Sequence, residues 1–120
     1  MTISKRTDNW YISFKYDLEP APLPTPKKRA VIGVDVGINT LATCSDGTTY
    51  PNVKAYKQAK KRLSRYQRRV IKKEPGSKNR AKAVKRLAKA HKKVADIRAD
   101  ALHKLTTWLA KNYSTIVIEV

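Results

Sequence analysis

Acidic side chains are scarce in this 120-residue chain: nine Asp and Glu stand against 27 Lys and Arg, a formal charge of +18. So large an excess points to a polyanionic partner, nucleic acid first and an anionic membrane surface second. Cysteine is scarcer still. Cys44 stands alone, which excludes an internal disulfide and a cysteine-built zinc site within these residues. With only two histidines, no zinc constellation can be assembled here either. A reducing cytoplasm is the expected setting, with Cys44 as a small core residue. No apolar run approaches the roughly 20 residues that a membrane-spanning helix needs. Met1 is followed by Thr2, Ser4, Lys5, Arg6 and Asp8, not by an apolar signal segment. The length suits one small domain.

The rest is organised around Ala30–Tyr50, AVIGVDVGINTLATCSDGTTY. Ala30–Val34 is the apolar, partly β-branched run of a buried strand, and Asp35 follows it. Val36–Asn39 turns the chain, and Leu41–Cys44 leaves as a second strand. Asp46-Gly47 is a strong hairpin signal, read here as a turn with both central residues at positive φ. A third short strand ends near Tyr50. A carboxylate among apolar neighbours is costly unless compensated, and a divalent cation would compensate it. An Asp beside a turn also serves simply to hydrogen-bond the backbone.

Before this stretch, Met1–Asn9 is polar and unpatterned. In Trp10–Tyr16, Ile12, Phe14 and Tyr16 alternate onto one face, as in a half-buried strand. The prolines from Pro20 to Pro26 require an extended linker. Residues 1–19 are therefore expected to close a preceding β-rich module, with residues 20–29 as the linker. After Pro51-Asn52 the period becomes helical. Tyr56, Ala59, Leu63, Tyr66 and Val70 form one apolar seam, with both tyrosines read as core residues. Glu74–Ser77 ends that helix. A second runs from about Asn79 to Asn112, with Val84, Leu87, His91, Val94, Ala101 or Leu102, Leu105 and Trp108 on its seam. His91 and His103 read as packed histidines, and Trp108 as the anchor of the helix on the sheet. A short connection folds the pair into an antiparallel hairpin at about 53–112. Its surface is basic: Lys57, Lys60, Lys61, Arg62, Arg65, Arg68, Arg69, Lys72, Lys73, Lys78, Arg80, Lys82, Lys85, Arg86 and Lys89, with Glu74 the one acid between residues 54 and 93. A solvated coiled-coil face is the plain reading. A surface so one-sided in sign instead suits salt-dependent contact with phosphates.

Ser114–Val120 reads as a short buried strand ending in Glu119. Strand–helix–strand order makes it a parallel neighbour of the Ala30–Val34 strand. Asp35 and Glu119 would then emerge at one end of the sheet, where an open α/β sheet places its site. Two carboxylates there could share a Mg²⁺ pair of the kind that drives phosphodiester hydrolysis. Because a buried strand is an improbable domain end, the chain is expected to be a fragment.

Gly33–Asn39, Leu41–Thr43 and Ser45–Thr48 resemble the first RuvC motif of the transposon-encoded TnpB (OrfB) proteins, the insertion-sequence relatives of type V CRISPR effectors. Lys60–Arg69 resembles the family's basic helix, and Gly76–Arg80 its inter-helix turn. His103-Lys104-Leu105 and Ile116–Glu119 are similar to the approach to its second RuvC motif. The resemblance covers about Trp10 to Val120. It implies an α/β, RNase H-like (RuvC) core fragment: a mixed sheet with the basic helical hairpin inserted between its third and fourth strands, over 30–120. It implies an RNA-guided DNA endonuclease, formerly described as a transposase, that uses Mg²⁺ or Mn²⁺. Asp35 and Glu119 take the positions of its first two catalytic, metal-binding acids, and the basic helices would meet guide RNA and its heteroduplex with target DNA.

The family's third catalytic Asp and its four-Cys zinc ribbon have no counterpart within these residues. Little or no nuclease activity is therefore expected of the chain alone. A non-catalytic nucleic-acid-binding remnant of the same fold is the alternative. A sugar-kinase-like ATPase shares the Gly-x-Asp-x-Gly turn, but the basic helices and the lack of further phosphate-binding Gly turns count against it.

Overall fold

The computed structural model describes residues 1–20 and 29–119, and of residues 29 and 30 the backbone alone. The proline-rich stretch falls almost wholly outside them. The architecture is mixed α/β: β1 (Thr2–Arg6), β2 (Asn9–Ser13), β3 (Arg29–Val36), β4 (Thr40–Cys44), β5 (Thr49–Pro51), α1 (Ala55–Ile71), α2 (Lys78–Asn112) and β6 (Tyr113–Glu119). The described residues fall into two compact units. Those within Met1–Leu23 and Gln58–Val94 form one, and those within Pro24–Lys57 and Ala95–Val120 form the other.

The second unit holds a four-stranded sheet in the order β5-β4-β3-β6. β3 pairs antiparallel with β4 and parallel with β6. Alternation along β3 turns Ile32 and Val34 inward, where they are 1% and 4% exposed, and leaves Val31 and Asp35 on the opposite face. Ile32, Val34, Ala42, Cys44, Leu105, Leu109 and Tyr113 form the core, so one face of the sheet packs on the C-terminal half of α2. Trp108 anchors that half as expected, with its ring 5.5 Å from Tyr50 and 5.7 Å from Tyr113. Cys44 is buried, as its apolar neighbours imply.

Two turns frame β4. Between β3 and β4, a side chain at position 37 would place its Cβ 3.0 Å from the Thr40 carbonyl oxygen, a tight approach that glycine avoids. Between β4 and β5 the sequence reading is corrected. Asp46 does not adopt positive φ; Gly47 alone does, at 87°. The Gly47 N–H donates to the Cys44 carbonyl at 3.0 Å, which makes Ser45-Asp46 the centre of an ordinary turn closed by a left-handed glycine. Asp46 stabilises it by accepting the Thr48 N–H at 2.9 Å and the Tyr113 hydroxyl at 2.6 Å. Pro51, expected to break the chain, is the last residue of β5, an edge strand where a missing donor is tolerated.

β6 is not the buried strand expected. Tyr113 is buried, but Val117 and Ile118 are 56% and 58% exposed, because β6 is the outermost strand of the described sheet.

In the first unit, β1 and β2 form an antiparallel hairpin that pairs Thr2 with Ser13 and Arg6 with Asn9. The polar stretch before Asn9 is therefore a strand, and Thr7 at φ 60° makes the turn. The half-buried reading of Trp10–Tyr16 is also corrected: β2 ends at Ser13, and Trp10, Ile12, Phe14 and Tyr16 are all exposed.

The helices meet their expected bounds within two residues. Residues 72–77 join them. Gly76 turns at φ 79°, and the Ser77 hydroxyl caps α2 by accepting the Arg80 N–H at 3.1 Å. On α1 the seam of Ala59, Leu63 and Val70 is buried and Tyr66 half-buried, while Tyr56 is 49% exposed. On α2 the expected seam holds at Val94 and Leu105, which are buried, and at Leu87, Ala101 and Trp108, which are half-buried, and is corrected at two positions. Ala83 and Ala90 are buried, whereas Val84 and His91 are exposed; His103 and Leu102 are exposed too. At the two corrected positions the inward-facing residue is alanine, and the larger side chains beside them face solvent.

Candidate functional site

Asp35 and Glu119 belong to the second unit and are direct partners in the parallel β3–β6 register. Partners across a parallel ladder project from the same face, on strands about 4.8 Å apart. Both are exposed. Each is placed by its strand: Asp35 follows the inward Val34, and Glu119 follows Ile118, so alternation sends both carboxylates to the face away from α2. Gly33 lies one pleat before Asp35 on that face. Its N–H donates to the Ser45 hydroxyl at 3.0 Å, and its carbonyl accepts the Ser45 N–H at 2.9 Å. A Cβ at position 33 would lie 3.6 Å from that of Ser45. Ser45 thus covers the glycine beside the pair, a contact between strands that no local pattern announces.

The pair offers hard oxygen donors, the chemistry that Mg²⁺ and Mn²⁺ prefer. Among the described residues no third His, Cys, Asp or Glu joins it as a metal-binding cluster. The two residues fit a divalent cation in donor type and in register.

The basic residues lie on the two helices and, for Lys72 and Lys73, on the connection between them. Lys60, Lys61, Arg62, Arg65, Arg68, Arg69, Lys72, Lys78, Lys82, Lys85, Arg86 and Lys89 are exposed; Lys73 and Arg80 are half-buried, and Lys57 is exposed in the first turn of α1. The Arg80 guanidinium donates to the Lys73 carbonyl at 3.3 Å, so this arginine partly holds the inter-helix turn. Arg69, Lys73, Lys82 and Arg86 converge with Tyr66 and Asn79 on a cleft of about 150 Å³ that no carboxylate among the described residues lines. Such a cleft concentrates positive potential where an oxyanion could sit.

One carboxylate does reach this surface, and sequence reasoning missed it. Asp8, in the β1–β2 turn, binds the ammonium groups of Lys85 and Lys89 at 2.6 Å each. Hydrogen bonds from Lys85 and then Lys89 hold the Asp8 carboxyl below its ordinary range. Nearby, the Lys92 ammonium stands 6.0 Å from the centre of the Tyr11 ring, and Lys5 lies 5.2 Å from that of Trp10. Only pairing across a long sequence separation brings these groups together.

No described helix is long and apolar enough to cross a membrane. Residues 13–120 match the OrfB_IS605 family, described as "Probable transposase". The chain is 37% identical over 119 residues to the "Putative RNA-guided DNA endonuclease InsQ" of Escherichia coli (strain K12), a match covering 99% of this chain and 29% of that protein. It is 38% identical over 120 residues to a "Putative RNA-guided DNA endonuclease" of Streptomyces pristinaespiralis, covering 99% of this chain and 29% of the relative. The chain thus spans under a third of the length of these curated relatives. With the family's match reaching across β3 to β6 and both helices, the chain belongs to the TnpB/OrfB family of transposon-encoded proteins.

Proposed function

We propose that these residues are part of a TnpB-type RNA-guided DNA endonuclease. In this reading β3–β6 and α2 belong to an RNase H-like (RuvC) nuclease core, Asp35 and Glu119 are two of its metal-binding catalytic acids, and the basic helices hold guide RNA and its heteroduplex with target DNA. The observation that carries it is the direct register partnership of Asp35 and Glu119. Two acids 84 positions apart in sequence have no other evident reason to share one end of a sheet.

Asp35 and Glu119 would hold Mg²⁺ or Mn²⁺, which in such a site activates water and steadies the leaving oxygen of a phosphodiester. The protein's own part is to fix the two carboxylates on rigid strands and to bring a polyanion to them. The basic side chains do the second through phosphate contacts, which are long-ranged, weakly sequence-specific and screened by salt. For these residues alone, binding without cleavage is the second reading, favoured by the lack of a third ligand among the described residues.

The test is binding of the purified chain to RNA hairpins and to an RNA–DNA heteroduplex across a salt series. The affinity should fall linearly on logarithmic axes. Replacing Lys60, Lys61, Arg65 and Arg68 with Gln should flatten the slope by about 3, at roughly 0.7–0.9 for each phosphate that is no longer neutralised. Binding that ignores salt, or a slope unmoved by the four substitutions, would refute the assignment of the helices.

A further inference from the structure

The second unit contains a groove of about 540 Å³ that neither Asp35 nor Glu119 lines. It lies between the β3–β4 turn, the entrance to α1 and the middle of α2. Its volume falls in the range of small-ligand sites, roughly 300–1,000 Å³. Much of its wall is apolar and open to solvent: Ile38 is 87% exposed, Leu102 and Tyr56 each 49%. Lys54, Lys57 and Arg98 also line it, and among the described residues no Asp or Glu does.

One side chain links two parts of the groove's wall. The Asn52 amide nitrogen donates to the Ile38 carbonyl, and its amide oxygen accepts the Lys54 N–H at 3.0 Å. Asn52 thereby ties the β3–β4 turn to the residue that opens α1. Lys54 sits at φ 47°, a left-handed conformation that costs a lysine free energy and that the Asn52 bond helps to hold.

An apolar and aromatic wall selects a flat, unsaturated face. Three cations with no carboxylate among them select an anion. A nucleotide carries both on one small unit, and stacking on an aromatic ring tolerates any base. A base paired within a duplex presents no free face to such a groove, whereas an unstacked one does.

We propose that this groove takes one unstacked nucleotide of a single-stranded nucleic acid, its base against Tyr56 and Leu102 and its phosphate among Lys54, Lys57 and Arg98. The proposal rests on the nucleic-acid reading of the helices and adds to it a discrimination that exposed lysines cannot make. The helices grip any phosphate backbone; the groove distinguishes single strands from duplexes.

The test uses the purified chain, a short single-stranded oligodeoxynucleotide carrying one 2-aminopurine, and the blunt duplex of the same sequence. Two variants leave the charge unchanged: Tyr56→Ala, at an exposed position, and Ala101→Phe, which fills the groove. Single-strand affinity should fall about tenfold in both while duplex affinity moves less than about twofold, the stacking loss being specific to an unpaired base and the phosphate contacts common to both. The change in 2-aminopurine emission on binding should vanish with it. If Ala101→Phe does not fold, Tyr56→Ala alone decides. Unchanged single-strand binding in the variants overturns the groove proposal and leaves the helices' role standing, as would be found if another protein segment were the occupant. An equal loss for both nucleic acids overturns it too. If the unmodified chain binds neither, the nucleic-acid reading itself falls and takes the groove with it.

Discussion

Asp35 lies directly across the parallel β3–β6 ladder from Glu119, so two carboxylates project from one face of the sheet at neighbouring positions. Like charges at that spacing repel, and a divalent cation turns the repulsion into a shared attraction. The isolated chain should bind Mn²⁺ weakly, as seen by the loss of the free-ion resonance signal. Asp35→Asn and Glu119→Gln should each weaken binding by about tenfold or more, and the double variant should do little further harm, because the pair acts as one site. Mg²⁺-dependent DNA cleavage by the chain alone should not rise above that of Asp35→Asn. Manganese affinity indifferent to both substitutions would remove the pair from the metal site.

The contact of Asp8 with Lys85 and Lys89 carries a defined pH dependence. The two lysines depress the folded-state pKa of Asp8, Lys85 contributing first. A depressed acid contributes stability above its unfolded pKa and loses it as pH falls through the folded value. The β1–β2 hairpin should therefore stay attached at neutral pH and loosen only below the ordinary carboxylate range. Amide shifts of Trp10 and Tyr11 followed down a pH series would report this. In Asp8→Asn the low-pH change should disappear and proteolysis near the hairpin should quicken at neutral pH. An acid transition that persists in Asp8→Asn would assign the attachment to other groups. Both lysine side chains are more than half exposed, so the effect should also shrink in salt.

Leu105 is 6% exposed and packs in the same core as Cys44. Leu105→Ala should destabilise the sheet unit by about 2–5 kcal/mol, through lost transfer energy and a cavity. Val117→Ala, at a position 56% exposed, should stay within about 0.5 kcal/mol. The two can be read without a melting curve. Burial, with a smaller contribution from the charge of Asp46, pushes the Cys44 thiol pKa up, so the native thiol should react slowly with a disulfide reagent. Leu105→Ala should speed that reaction strongly and Val117→Ala barely at all. Equal rates in the two variants would mean that Cys44 is reached without opening the core.

The carboxylate partnership was legible because it rests on regular rules: a strand, a helical crossover and a second strand give a parallel pair, and alternation then fixes the face. The placement of Trp108 was legible for a similar reason, since a large aromatic on an apolar helix end has few other uses. β1 was not legible. Ile3 is its only large apolar residue, and its pairing with β2 is carried by backbone groups that Thr, Ser and Lys possess as well as Val does. The α2 seam was legible at Leu87, Val94, Leu105 and Trp108 and misjudged at two positions, because Val84 and His91 look like better core residues than Ala83 and Ala90. Close helix packing rewards small volume, which no hydrophobicity pattern records. Asp8 and the Asn52 tie depend on contacts between distant parts of the chain, for which local periodicity has no signal.

No described strand pairs with the outer side of β6, and its apolar side chains stand open beside it. At low ionic strength the +18 charge keeps copies of the chain apart. As salt rises from 0.1 to 1 M the screening length shrinks from about 10 to about 3 Å, and that protection goes. High salt is therefore the condition under which bare strand edges can meet and knit copies into ribbons. The charge that sets this chain apart from most small domains thus also guards its open sheet edge, and it does so only while the salt is low.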